Sequence, residues 1–325
     1  MKQKVLVTRE IPEAGVDELQ KHLDVYVNPE DTPMTKDDII HAITDTQGLV
    51  CMLADRIDKE ILDAAKNLKV IANYAVGYDN IDIETAAHKN IYVTNTPGVL
   101  TEATADLTWA LILSISRRII EADHYLRTGR FRGWEPMLLL GTDVHGKTLG
   151  IIGLGRIGQA VALRARGFDM KVLYYEPRRL PEKIEQSCHA KYCSLSELLK
   201  TSDFVSIHVP LDKSTFHLIG TPELDSMKKT AYLINVSRGA VIDEMALVKG
   251  LKNRVIAGCG LDVYEREPNV EQELLAMKNT VLLPHVGSAS HATRDRMALI
   301  AAQNIIAVLI RKEEPPNWVH KDIQI

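Results

Sequence analysis

The sequence predicts an α/β protein made of two parallel-sheet domains. The chain has 325 residues, more than the size at which one core keeps growing. Short β-branched runs alternate with helical patterns in two series, separated by a long helical stretch from Thr101. A glycine-rich turn, GLGRIG, opens the second series between an apolar strand and a helix. Strand-helix alternation of this kind implies parallel sheets covered by helices on both faces.

The first series runs VLVT, a helix over 12–23, VYV, a helix over 36–44, GLVCM, a helix over 59–65, KVIANY and IYVTN. It predicts one small α/β domain in the first hundred residues. TEATADLTWALILSISRRIIEADHYLRTGRF then reads as one helical stretch, capped at Thr101 or Thr104 and stopped at Gly129. Its apolar residues, among them Ala105, Leu107, Trp109, Leu111, Ile112, Leu113 and Ile115, surround the axis. That predicts a helix buried between domains or subunits. The following RGWEPMLLLGTDVHG, with Trp134, reads either as an oligomer interface or as a loop capping its own core. The second series runs TLGIIGLG, a helix to Gly167, KVLYYE, DFVSIHVP, AYLINV, VIAGCGLDV and TVLLPHV. A helix over 290–312, a PPNW turn and a short tail complete the chain, and no repeat of fixed period is present.

Charged residues at 25%, hydrophobic residues at 46% and a net charge of -4 describe a soluble globular protein without a footprint for nucleic acid or an anionic membrane. The four cysteines show no C-x-x-C spacing, as expected of a reduced cytoplasmic protein. Cys188, His189 and Cys193 lack the second ligand pair a structural zinc needs and read as a surface loop, so no metal is expected. MKQKVLVTRE has no signal-peptide core, and no apolar run reaches the length of a membrane span.

Gly153, Gly155 and Gly158 stand in G-x-G-x-x-G spacing where a strand passes into a helix. Such a turn brings backbone close to a pyrophosphate and aims free N–H groups at it. Glu176, twenty-three positions after Gly153, completes the context of a dinucleotide site. A carboxylate there accepts hydrogen bonds from the ribose hydroxyls and repels a 2′-phosphate, which favours NAD(H). In the same VLYYEPRR, Pro177 bends the chain so that Arg178 and Arg179 project toward the adenine edge, leaving NADP(H) as a weaker cofactor.

Three charged residues stand at the ends of later strands: Arg238 in INVSRGAVID, Glu267 in GLDVYEREP and His285 in LLPHVGSAS. Singly, each has an ordinary structural explanation. Together they meet the needs of hydride transfer to a 2-keto acid. An arginine fork holds the carboxylate and polarises the carbonyl, and a histidine delivers the proton. A carboxylate on the other imidazole nitrogen orients the ring and favours its acid form.

The segments NYAVGYDNID, GLGRIGQA, DFVSIHVPL, LINVSRGAVID, GLDVYEREP and LPHVGSA occur in this order over nearly the whole chain. In these the chain resembles the D-isomer-specific 2-hydroxyacid dehydrogenase family. The resemblance implies two Rossmann-like or flavodoxin-like domains. A substrate domain of residues 1–100 and 289–325 would be interrupted by an inserted NAD(P) domain of residues 101–288. It assigns substrate binding to Arg238, orientation of the histidine to Glu267, and acid/base catalysis to His285. It places the backbone N–H groups of Val76 and Gly77 at the substrate carboxylate, in a turn able to form an anion nest. Thr104, Arg156 and Ile157 would lie near the cofactor phosphates. Val209, Pro210 and Thr215 would flank the adenosine, Val236 and Asp262 would approach the nicotinamide end, and Ser237 and Gly287 would also bind the cofactor.

Within the family, GYDNIDIETA, RGWEPMLLLG, LGRIGQAVA and LPHVGSASHATR resemble glyoxylate/hydroxypyruvate reductases. This implies a small 2-keto/2-hydroxy acid as partner, a pocket near Leu53, Val76, Arg238 and His285, and a homodimer whose loop 134–140 reaches the other subunit. Leu138 stands where related reductases carry a second aromatic. Val76 replaces the lysine of phosphite dehydrogenases, and Glu267 the glutamine of formate dehydrogenases. Phosphoglycerate dehydrogenase and other D-2-hydroxyacid activities remain alternatives, although long forms of the former append a regulatory domain for which no room is expected. An NAD-sensing corepressor is the alternative of another class, and the lack of long disordered flanks counts against it.

Overall fold

The structure, a computed structural model, describes residues 2–321. It separates into two compact units, one of described residues up to Leu100 with those from Ser288 onward, the other Thr101–Gly287.

Among the described residues the first unit holds five parallel strands: β1 Lys4–Val7, β2 Asp24–Val27, β3 Gly48–Cys51, β4 Val70–Asn73 and β5 Tyr92–Thr94, in the order β2-β1-β3-β4-β5. Every residue of β3 and β4 is buried, as befits strands covered on both faces. One cover is helix His291–Ile306, where Ala298 packs so tightly on Gly15 of helix Glu13–Gln20 that a Cβ there would lie 2.7 Å from the Ala298 side chain. On the other face, Ile39 and Ile43 of helix Lys36–Ile43 join Ile61 and Leu62 of helix Lys59–Ala64 over β1, β3 and β4. Thr35 and Asp38 start the first of these helices as a reciprocal capping box.

The second unit carries seven parallel strands among its described residues: β6 Thr148–Ile152, β7 Lys171–Tyr175, β8 Ala190–Tyr192, β9 Phe204–Ile207, β10 Tyr232–Asn235, β11 Gly258–Leu261 and β12 Thr280–Leu282. Their order is β12-β11-β10-β9-β6-β7-β8. The chain fills one side of β6 with β7 and β8, then crosses to place β9 on the other. The order therefore reverses between β6 and β9, and the carboxyl ends of such a pair are where open α/β sheets bind ligands.

Three sequence expectations change here. The stretch from Thr101 is two helices, Thr101–Ser116 and Ile119–Arg127, broken where Arg118 takes φ 54°. Thr101 and Thr104 lie inside the first helix and do not cap it. One side of that helix is buried within its own unit. Ala105, Trp109, Leu111, Ile112 and Ile115 join the core beneath it, and Leu111 reaches within 3.1 Å of where a Cβ on Gly260 of β11 would stand. Its outer side carries Glu102 and Asp106, both paired with Arg164. Finally, Cys188 and Cys193 are not on a surface loop, since both are buried, as are the free Cys51 and Cys259.

Candidate active site

The glycine turn leaves β6 at Gly153, whose φ of 95° suits glycine alone and whose Cβ would stand 2.8 Å from the His208 carbonyl carbon. Gly155 is the N-cap of helix Arg156–Ala165, lacks a side-chain cap, and faces open space within 4 Å. The N–H groups of Arg156 and Ile157 thus open a ten-residue helix without a capping side chain, a ready anion site. Gly158 is buried, and a Cβ there would overlap the Gly153 carbonyl. Approach, turn and packing each need their own glycine, so the loop fits a dinucleotide pyrophosphate.

Glu176 follows β7, and its Oε1 accepts the Leu154 N–H at 2.7 Å. Burial raises its pKa, and that N–H partly offsets the rise. The carboxylate is thereby fastened to the phosphate turn. Arg179 forks its guanidinium onto Glu185 at 2.8 Å through both Nε and a terminal nitrogen. Its side chain stays 64% exposed in that pairing, and Pro177 and Arg178 are exposed as well.

Beyond β9, Pro210 is exposed and Val209 half-buried. The Thr215 hydroxyl donates to the Pro210 carbonyl at 2.7 Å and accepts the Asp212 N–H at 2.8 Å. Thr104 lies beside Gly287, 3.5 Å from where its Cβ would be. Sequence reading did not single out His208. Its Nε2 meets the Ser206 hydroxyl at 2.8 Å, and burial pushes its pKa down to about 3, so the ring is neutral.

At the carboxyl end of β10, Asn235 organises the turn that bears Arg238. Its Oδ1 accepts the Ser237 N–H at 3.0 Å and hydroxyl at 2.9 Å, while its amide donates to the Arg238 carbonyl at 2.9 Å. Val236 is buried in the same turn. Gly239, next to Arg238, lies so close to Tyr264 that a Cβ would overlap the Tyr264 carbonyl. The Arg238 turn and the Glu267 loop are therefore in backbone contact. Glu265 and Glu244 lock the second loop crosswise, each carboxylate accepting the other's backbone N–H, at 3.2 and 2.9 Å.

Glu267 Oε1 accepts the Tyr264 N–H at 3.0 Å, and Oε2 stands 2.8 Å from His285 Nδ1. Burial alone would raise the Glu267 pKa. The hydrogen bond and charge of His285, with the Tyr264 N–H and Arg238, outweigh it and hold the carboxyl below its usual range. His285 has φ 54°, an uncommon conformation for a residue with a side chain. Asp262 holds it there: its carbonyl accepts the His285 N–H at 2.8 Å, and its two carboxylate oxygens accept those of Val286 and Gly287 at 2.8 and 2.7 Å. Burial raises the Asp262 pKa against the lowering effect of these donors and of His285.

Leu53, Val76 and Gly77 belong to the first unit. The Val76 carbonyl accepts from the Asn95 amide at 2.8 Å and the Gly77 carbonyl from Asn73 at 2.7 Å. Asn80 donates to the Met52 and Asp55 carbonyls at 3.1 and 3.0 Å, fixing the loop that carries Leu53. These asparagines were also missed, although a polar residue ending an apolar strand, as in VIAN and YLIN, is their visible sign. Among the described residues no helix is long and apolar enough to cross a membrane.

Comparison with known proteins agrees with this construction. Residues 109–287 match the D-isomer specific 2-hydroxyacid dehydrogenase, NAD binding domain. The chain is 51% identical to a glyoxylate reductase of Thermococcus gammatolerans, over 99% of this chain and 97% of that one. A crystal structure of a Thermus thermophilus protein superposes with TM-score 0.90 at 46% identity, covering 98% of this chain and 100% of that one. An NADPH-dependent glyoxylate/hydroxypyruvate reductase from Sinorhizobium meliloti, in complex with NADP and malonate, gives 0.85 at 34% identity over 98% and 97%. With its glycine turn, its fastened acid and its carboxylate-histidine pair, the chain belongs to the D-isomer specific 2-hydroxyacid dehydrogenase family and uses a nicotinamide cofactor.

Proposed function

We propose that the protein reduces a small 2-keto acid, glyoxylate or hydroxypyruvate, to the 2-hydroxy acid, with NADH preferred over NADPH. The pairing of His285 with Glu267, in the unit that holds the glycine turn and Glu176, carries this reading. When bound, the nicotinamide supplies the hydride. His285 is engaged through Nδ1, which leaves Nε2 to deliver the proton to the forming alkoxide. Glu267 stabilises the charged imidazole and keeps its tautomer. Arg238 grips the substrate carboxylate and polarises the carbonyl. The family resemblance carries substrate binding over to Leu53 and to the N–H groups of Val76 and Gly77, all in the first unit. The first unit with the residues after Ser288 is the substrate domain, and the second the cofactor domain.

Thr104, Arg156 and Ile157 would hold the pyrophosphate, and Glu176 the adenosine ribose. Val209, Pro210 and Thr215 flank the adenosine, with Val236, Ser237, Asp262 and Gly287 at the nicotinamide. The reading includes a cytoplasmic homodimer. Trp134 at 85% exposure and Met137 at 76%, and Ile120 and Leu126 on helix Ile119–Arg127, are large apolar side chains left exposed, which supports contact with a second copy. Glyoxylate, hydroxypyruvate, pyruvate and phosphohydroxypyruvate crossed with NADH and NADPH, followed by loss of reduced-cofactor absorbance, test the proposal. Turnover of none of these acids would overturn it.

A further inference from the structure

Glu176 and Arg179 sit three residues apart and act oppositely on a ribose 2′-phosphate, one repelling and one attracting it. The structure separates them by fastening each to a different place. Glu176 is tied to the phosphate turn through the Leu154 N–H at 2.7 Å. Arg179 is tied to Glu185 on helix Glu182–Cys188, where both oxygens of a carboxylate only 8% exposed take the guanidinium fork. The fully buried Tyr174 of β7 completes the fixture. Its hydroxyl donates to Glu185 Oε1 at 2.6 Å and accepts the Leu180 N–H at 3.0 Å. The chain just after Arg179 is thus pinned to the same buried point that holds the arginine side chain.

We propose that Glu185, which lies outside the cofactor contacts, is a positioning residue that sets cofactor specificity by withholding Arg179 from a 2′-phosphate. The inference rests on the reading of Glu176 as the ribose-binding acid. For Arg179 to reach a phosphate, Glu185 must surrender its cation and stay buried with one neutral donor, Tyr174. The Arg179 side chain is itself 64% exposed, so what detains it is the two-point, charge-assisted fork onto a carboxylate that is largely shielded from water. Discrimination against NADPH then has two sources, repulsion by Glu176 and detention of Arg179. Arg178, exposed in the same loop, leaves only weak residual binding of the phosphate.

The test uses the full chain and two probes that differ by one phosphate, 5′-AMP and 2′,5′-ADP, with binding read by calorimetry. Wild type is expected to bind 5′-AMP more tightly. Glu185→Gln keeps an acceptor for Tyr174 but removes the charge that holds Arg179. Its affinity for 2′,5′-ADP is expected to rise about tenfold, the low end for a charge-assisted hydrogen bond, with 5′-AMP and NADH-linked kcat unchanged. Adding Arg179→Ala to Glu185→Gln should abolish the gain, which a merely structural role of Glu185 would not do. Should Glu185→Gln fail to fold, Arg179→Gln alone serves: a withheld arginine predicts unchanged 2′,5′-ADP affinity, and a loss overturns the proposal. Unchanged selectivity in folded Glu185→Gln, or a gain that persists in the double variant, also overturns it. Wild-type protein that prefers 2′,5′-ADP would instead sink the reading of Glu176.

Discussion

Glu267→Gln isolates the charge of the carboxylate from its shape. In the native site one oxygen accepts the Tyr264 N–H at 3.0 Å and the other faces His285 Nδ1 at 2.8 Å. Glutamine offers one oxygen and one NH₂ to these two places. With its oxygen toward Tyr264, the NH₂ faces Nδ1, which must then lack a proton, and the charged imidazole cannot form without breaking the contact. With its oxygen toward Nδ1, the NH₂ opposes the Tyr264 N–H, donor against donor. Either way the protonated ring loses a charge-assisted hydrogen bond of about 1.5–3 kcal/mol. At about 1.4 kcal/mol per tenfold this is a loss of about 10- to 150-fold in kcat. Glu267 keeps 37% side-chain exposure, so water screens the pair and the lower half of that range is expected. His285→Ala, which removes the acid itself, should cost on the order of 10²–10⁴. The assay is kcat for glyoxylate reduction at saturating NADH. A kcat within about twofold of wild type, or a loss equal to that of His285→Ala, would refute the role given to the pair.

Other outcomes follow from the same geometry. Glu176→Ser removes the charge that opposes a 2′-phosphate, and the NADPH/NADH ratio of kcat/KM should rise by at least about tenfold; an unchanged ratio would place the discrimination elsewhere. Gly239→Ala forces a Cβ onto the Tyr264 backbone, so the Arg238 turn and the Glu267 loop must part; about 1–3 kcal/mol of stability should go, with KM raised and kcat lowered together, and wild-type kinetics would refute the contact. Burial pushes the His208 pKa down to about 3 in the folded chain, from 6.5 for the free group. Between those values the unfolded chain binds the proton and the folded one does not, so its contribution is full above about pH 6.5 and is lost as pH falls toward 3. Urea unfolding across that window should show a shallower pH slope in His208→Asn, and an identical slope would remove His208 as a cause.

Much of this was legible because the chemistry sits where backbone rules are strict. Gly153 requires a positive φ and Gly158 a close approach, and both constraints show as glycine in the sequence. The strands announced themselves as apolar runs, except β8, whose three residues AKY are too few and too polar to show a pattern. The break at Arg118 was invisible because both sides continue in good helix formers, and only one residue leaves the helical region. The ion pair of Arg179 was invisible for a related reason. Its partner Glu185 is six positions away in the next helix, where no local periodicity links the two.

The residues that sequence reading missed share a task. Asn235, Glu244, Glu265, Asn73 and Asn80 accept or donate to backbone in the loops that carry Arg238, Glu267, Gly77 and Leu53. Asp262 does the same for His285 through the N–H groups of the two following residues. A loop held by one such bond could shift by an ångström at little cost, and general acid catalysis does not tolerate that shift. Buried amides and carboxylates that each satisfy two loop groups make such movement expensive, because it would strand polar atoms away from water. The reacting side chains were readable from charge at strand ends; their precision depends on neutral and acidic side chains whose partners are the backbone groups of the same loops.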